Sequence, residues 1–161
     1  VNCAARSVRD FGPSYLQARI DAEIALARHI GIVVEQADDA TVILSAPLQA
    51  NANHKSTAFG GSLYCVAVLT AWAWATRFLD MHDLGADAVV QQSNMEFLTP
   101  VQGDLRAHLI APGAAEIDKF RKMLERAGRG RIQLRVELRN AAQPAARFEG
   151  MFAAALRARS G

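Results

Sequence analysis

Gly60-Gly61-Ser62-Leu63-Tyr64-Cys65-Val66-Ala67-Val68-Leu69-Thr70-Ala71-Trp72-Ala73-Trp74-Ala75-Thr76-Arg77-Phe78-Leu79 reads as a helix that is apolar on every side. Helices of that kind are buried rather than amphipathic. Thr70, Thr76 and Arg77 interrupt the run, leaving it short of the roughly 18 to 20 uninterrupted apolar residues of a membrane span. The stretch is therefore expected to be a core helix wrapped by other elements. Two glycines at its start let a ligand approach backbone N–H groups that lack partners in a first helical turn. The polar run just ahead, Asn51-Ala52-Asn53-His54-Lys55-Ser56-Thr57-Ala58-Phe59, makes this junction the place where developing negative charge could be held.

Upstream, Leu16, Ile20, Ile24, Ala27 and Ile30 recur at helical spacing behind Pro13 and Ser14, with Gly31 as a stop. This predicts one helix over residues 14–29. Residues 32–35 and 40–48 read as a hairpin around Asp38-Asp39. Downstream, residues 88–98 have strand composition and end at Pro100, and Gly103 turns the chain into 104–110, which predicts a second hairpin. A short amphipathic helix follows over 116–126. Ile132, Leu134, Val136 and Leu138 alternate with Gln133, Arg135, Glu137 and Arg139, a strand with one wet face. A last strand is expected over 145–157. The order implies an α+β fold, a mostly antiparallel sheet around a long buried helix, in one domain (14–161) behind an N-terminal tail (1–13).

At 161 residues, 51% hydrophobic and 21% charged, the chain has the composition of a globular domain, and a net charge of +2 is too small to suggest nucleic acid. Cys3 and Cys65 fall in unlike surroundings, which fits a reducing, cytoplasmic setting. The first twelve residues carry no secretory pattern. His29, His54, His82 and His108 show no paired ligand spacing, and neither a Walker loop nor a GxGxxG opens a helix, so no metal or cofactor is expected.

Asn53-His54-Lys55-Ser56-Thr57-Ala58-Phe59-Gly60-Gly61-Ser62-Leu63-Tyr64 resembles the signature of the YiiD-type thioesterases, a hotdog family also found as the C-terminal domain of acetyltransferase-like proteins. Ser93-Asn94-Met95-Glu96-Phe97-Leu98-Thr99-Pro100-Val101-Gln102-Gly103-Asp104-Leu105 looks like the hotdog pattern of a strand ending in Pro and then Gly. The resemblance spans about residues 15–156. It implies the hotdog fold, hydrolysis of acyl-CoA or acyl-carrier-protein thioesters, and a homodimer or dimer of dimers with its site between subunits. In the broader acyl-CoA thioesterases of this fold the loop carries Asn, then His-Gly-Gly, with an acid about two turns into the helix. Against that pattern Asn53 matches the Asn and Gly60-Gly61 the glycines. Phe59 stands at the His, Val68 near the acid, and Ser56 at a usual Gly. The charge-stabilising half of the site is present and the carboxylate is not.

The resulting catalytic candidates are the Gly61 N–H as oxyanion donor, with Asn53 and His54 positioning or deprotonating water. A histidine pKa near 6.5 suits that work. Thr57, Phe59, Gly60, Ser62, Ser93 and Asn94 are the substrate-binding candidates. Each has a plainer reading: glycines for tight packing, a capping or solvent-facing histidine, and asparagine satisfying loop backbone. Ser62 is not an elbow nucleophile, because Tyr64 stands where Gly-x-Ser-x-Gly needs glycine. Strand alternation places Ser93 on the face opposite Asn94 and Glu96, the latter a possible substitute base. Lys119, Arg121, Lys122, Arg126, Arg129 and Arg131 could meet the phosphates of a pantetheine carrier or form a solvated face. Without interleaved aromatics they do not suit nucleic acid. The alternative function is a non-catalytic acyl-CoA-binding or regulatory module. A hydratase is least favoured, since the Asp-x5-His spacing is absent.

Overall fold

The structure, a computed structural model, describes residues 10–141 and 143–157. Most of the expected tail, with Cys3, lies outside the described residues. The elements run α1 (Pro13–Glu23), α2 (Ala25–Ile30), β1 (Val33–Ala37), β2 (Val42–Ala46), α3 (Leu48–Asn51), α4 (Gly60–Met81), β3 (Ala86–Phe97), β4 (Leu105–Ile110), α5 (Ala114–Ala127), β5 (Arg129–Asn140) and β6 (Gln143–Leu156). The strands form one antiparallel sheet in the order β1-β2-β4-β5-β6-β3. It curls around α4, which packs against β2, β3, β4, β5 and β6. This is the hotdog arrangement.

Burial explains why α4 is apolar all round. Leu63, Val66, Ala67, Ala71, Ala73, Trp74, Ala75 and Leu79 are all enclosed, and the alanines let strands come close. At 22 residues α4 is long and apolar enough to cross a membrane, which corrects the expectation that it falls short; yet 67% of its most apolar stretch is buried within the protein's own fold. The outer side of the sheet is wet: on β5, Ile132, Leu134, Val136 and Leu138 point inward, and Gln133, Arg135 and Glu137 between them outward.

Three departures from the sequence reading have physical causes. The single first helix is broken at Ile24 (φ −121°, ψ 89°). No breaker marks the spot; the Arg28 side chain donates to the Asp21 carbonyl at 2.8 Å, the acceptor that a continuous helix would have used. Secondly, the polar loop begins with the one-turn α3, pinned by the Asn51 amide, which donates to the Ile30 and Pro47 carbonyls at 2.8 Å each. Thirdly, β3 and β4 are not a hairpin. The Leu98 and Thr99 N–H groups both donate to the Ala145 carbonyl (2.8 and 3.1 Å), and the Val101 carbonyl accepts from Ala58 N–H (2.8 Å). The Pro100–Gly103 stretch thus crosses beside the β5–β6 turn instead of doubling back. In consequence β3 pairs only with β6 and forms one lateral edge of the sheet.

Candidate functional site

The start of α4 is built around missing hydrogen bonds. Leu63 N–H donates to the Phe59 carbonyl at 3.0 Å, but among the described residues the N–H groups of Gly60, Gly61 and Ser62 find no acceptor. Phe59 at the N-cap supplies no side-chain cap, and the first turn holds no acidic residue. The positive end of a 22-residue helix is therefore not neutralised by its own first turn. Gly61 is exposed. The Phe59 ring lies across it, and a β-carbon at Gly60 would sit 3.5 Å from the Phe97 ring. Phe59 and Phe97 are 57% and 55% exposed, two aromatic rings standing in solvent beside the glycines.

The preceding loop is closed by a bridge between Ala52 and Ala58 and organised from within by Asn53. Its Oδ1 accepts from the Lys55 N–H (2.8 Å) and the Thr57 N–H (3.2 Å). Its amide donates to Thr57 Oγ1 (3.0 Å) and the Ala58 carbonyl (3.4 Å). Two donor hydrogens and two acceptor sites are thereby occupied. Asn53 and Thr57 together shape the loop that leads into α4. Ser56 takes a left-handed backbone (φ 58°), the conformation that favours the glycine usual at this position of the motif. His54 is exposed, with no hydrogen-bond partner among the described residues.

One turn into α4, about 6 Å along its axis from Gly60, the Tyr64 hydroxyl and Ser93 Oγ share a hydrogen bond of 2.8 Å. The Tyr64 ring meets Phe148 edge-on at 5.8 Å. Ser93 thus faces α4, whereas Asn94 and Glu96 lie on the outer face around a cavity of about 230 Å³ with Arg135 and Arg147. That cavity is on the other side of the sheet from α4. The sequence reading missed Tyr64; its spacing of four from Gly60, which puts both on one helix face, was the available signal. Cys65, Val68 and Trp72 continue a half-buried stripe. Burial pushes the Cys65 thiol up, which keeps it protonated and a weak nucleophile. With Gly61 exposed and Gly60 and Ser62 only half-buried, the amide end of α4 opens to the surface in a single chain.

Over residues 13–156 the sequence matches the family described as "Putative thioesterase (yiiD_Cterm)". The chain belongs to this thioesterase family. Its fold is shared with a protein of unknown function from Chlorobaculum tepidum TLS, 31% identical, covering 91% of this chain and 98% of that one with a TM-score of 0.87. A "putative thioesterase" from Shewanella oneidensis is 22% identical (TM-score 0.80, 90% and 97% covered). A "probable thioesterase" from Pseudomonas aeruginosa is 20% identical (TM-score 0.75, 90% and 97% covered). The last two share the hotdog fold with this member of the family.

Proposed function

We propose that the protein hydrolyses acyl thioesters carried on CoA or an acyl-carrier protein, with the thioester carbonyl oxygen held by the N–H of Gly61. The observation that carries this reading is the set of amide hydrogens at Gly60, Gly61 and Ser62 left without acceptors at an exposed, uncapped helix start. Water adds to the carbonyl carbon and charge collects on oxygen, where preorganised donors are worth roughly 3 to 4 kcal/mol. The C–S bond then breaks, and the thiolate takes a proton to leave as free thiol beside a carboxylate. His54 is the base within the loop, and Asn53 holds that loop in place.

A second copy completes the site. β3 is a long edge strand on which Val89 is 61%, Val90 39%, Phe97 55% and Leu98 40% exposed, a surface that invites strand pairing. Antiparallel pairing of two β3 edges walls the stripe of Tyr64, Cys65, Val68 and Trp72 into an acyl slot. The test is thiol release from a panel of short, medium and aryl acyl-CoAs. His54→Ala is expected to lower the rate at least about a hundredfold, and Val90→Asp to abolish both dimer and activity, read by sedimentation. Unchanged turnover in His54→Ala removes its role. Val68 in place of a helix acid favours the second reading, a module that binds acyl-CoA without cleaving it; saturable binding with no thiol release identifies that case.

A further inference from the structure

On the outer face of the sheet, near the start of β3, two arginines stand beside a floor of alanine. Arg129 of β5 is opposite Ala155 of β6, which is opposite Asp87 of β3. In the neighbouring row Arg131 is opposite Ala153, which is opposite Val89. Partners in antiparallel strands share a face. The rows therefore make a trough with guanidinium groups on one side, two methyl groups beneath, and Val89 on the other side, about 10 Å across from two strand spacings. It encloses about 840 Å³, with Met123 and Leu156 as further apolar walls. One row beyond, Met151 replaces alanine between Gln133 and Gln92, so the small-residue floor is two rows long.

Its charge is free to act on a ligand. Among the described residues neither Arg129 nor Arg131 has an ion-pair partner, whereas Arg121 and Lys122 are tied to Asp118. The one carboxylate in the trough, Asp87, is held by Arg157 at 2.7 Å. A flat apolar floor beside two unpaired guanidinium forks matches a purine ring that carries phosphates.

We propose that this trough binds the nucleotide end of a CoA thioester, its adenine over Ala153 and Ala155 and its phosphates on Arg129 and Arg131. The inference rests on the thioester reading above and selects CoA over a carrier protein. Antiparallel pairing of two β3 edges sets the start of one strand beside the end of the other. The trough of one copy would then lie beside the strand end that carries the start of its partner's α4, on the opposite face of the joined sheet, and the pantetheine arm would reach the amides by passing round the strand ends.

Two measurements on the full chain test it: calorimetric titration with adenosine 3′,5′-bisphosphate, and thiol release from one acyl group carried either on CoA or on pantetheine alone. Arg129→Ala/Arg131→Ala is expected to weaken bisphosphate binding about tenfold or more. The same variant should raise KM for the CoA ester by a similar factor and leave the pantetheine ester unchanged. Ala155→Met, which fills the floor and alters no charge, should do the same. Undiminished binding in both variants, or inorganic phosphate bound as tightly as the bisphosphate, overturns the proposal. A protein that binds bisphosphate in the trough yet frees no thiol from either ester keeps this site and loses the hydrolase reading.

Discussion

The Phe59 ring rests against Gly61 so closely that a β-carbon at position 61 would collide with its Cε1. The collision is with the far end of an exposed side chain, so Gly61→Ala can be accommodated if the ring swings away. Alanine also suits a helix better than glycine, by about 1 kcal/mol. Stability and activity should therefore move in opposite directions: an equal or higher melting temperature, with thiol release down at least about tenfold as the methyl group crowds the amide donor. Activity retained in Gly61→Ala would dissociate this N–H from the chemistry.

Asn53 tests the difference between shaping a loop and touching a substrate. Asn53→Ala orphans two backbone N–H groups and a carbonyl that its side chain now satisfies. The expected loss is about 1 to 3 kcal/mol in urea unfolding, with activity falling alongside. Asn53→Asp retains the acceptor oxygen and should recover part of both. A full loss of activity at unchanged stability would instead indicate direct contact.

At Ser56 the sequence differs from the usual glycine and the backbone still adopts the left-handed conformation that glycine favours. That conformation costs an L-residue roughly 1 to 2 kcal/mol, of which glycine's extra freedom in the unfolded chain takes back roughly half. Ser56→Gly is expected to stabilise the protein by about 0.5 to 1 kcal/mol. A destabilised variant would show that the Ser56 side chain contributes more than the strain it causes.

His108 on β4 supplies a pH dependence of stability. Burial, then the guanidinium groups of Arg139 and Arg106, hold its pKa below the ordinary histidine value, against the opposing pull of Glu35 and Glu137. The unfolded chain therefore takes up this proton first. Stability is unaffected above about pH 6.5 and falls as pH drops below it, until the folded state is protonated as well. Urea unfolding at pH 7.5 and 5.5 should show a smaller difference in His108→Gln than in the parent chain. Equal differences would place the titration elsewhere.

Periodicity made most of the architecture legible. The all-apolar run at 60–79 foretold a wrapped helix, and the alternation at 132–139 foretold which residues face it. The local signals misled where pairing was decided at a distance. Pro100 and Gly103 look like a turn, yet the backbone groups of Leu98, Thr99 and Val101 are satisfied by Ala145 and Ala58, far away in sequence. Ile24 carries no helix-breaking chemistry, and the break there depends on a side chain seven residues on from Asp21. At the site, the glycine pair and the separation of Ser93 from Asn94 could be read directly. The saturation of Asn53 and the bond from Tyr64 to Ser93 could not, because both depend on three-dimensional closure. The pairing of Arg129 with Ala155 and Asp87 depends on register, which alternation alone does not fix.

The strand order also bears on how the chain emerges during synthesis. α4 is complete at Met81, but β5 and β6, which cover much of it and hold β3 in place, are made well after it. At about 5 to 20 residues per second, the nascent polypeptide carries a bare greasy rod for roughly 4 to 15 seconds before its cover arrives. Ribosome-associated chaperones are the natural guardians of that interval, and messages truncated ahead of β5 should yield insoluble product.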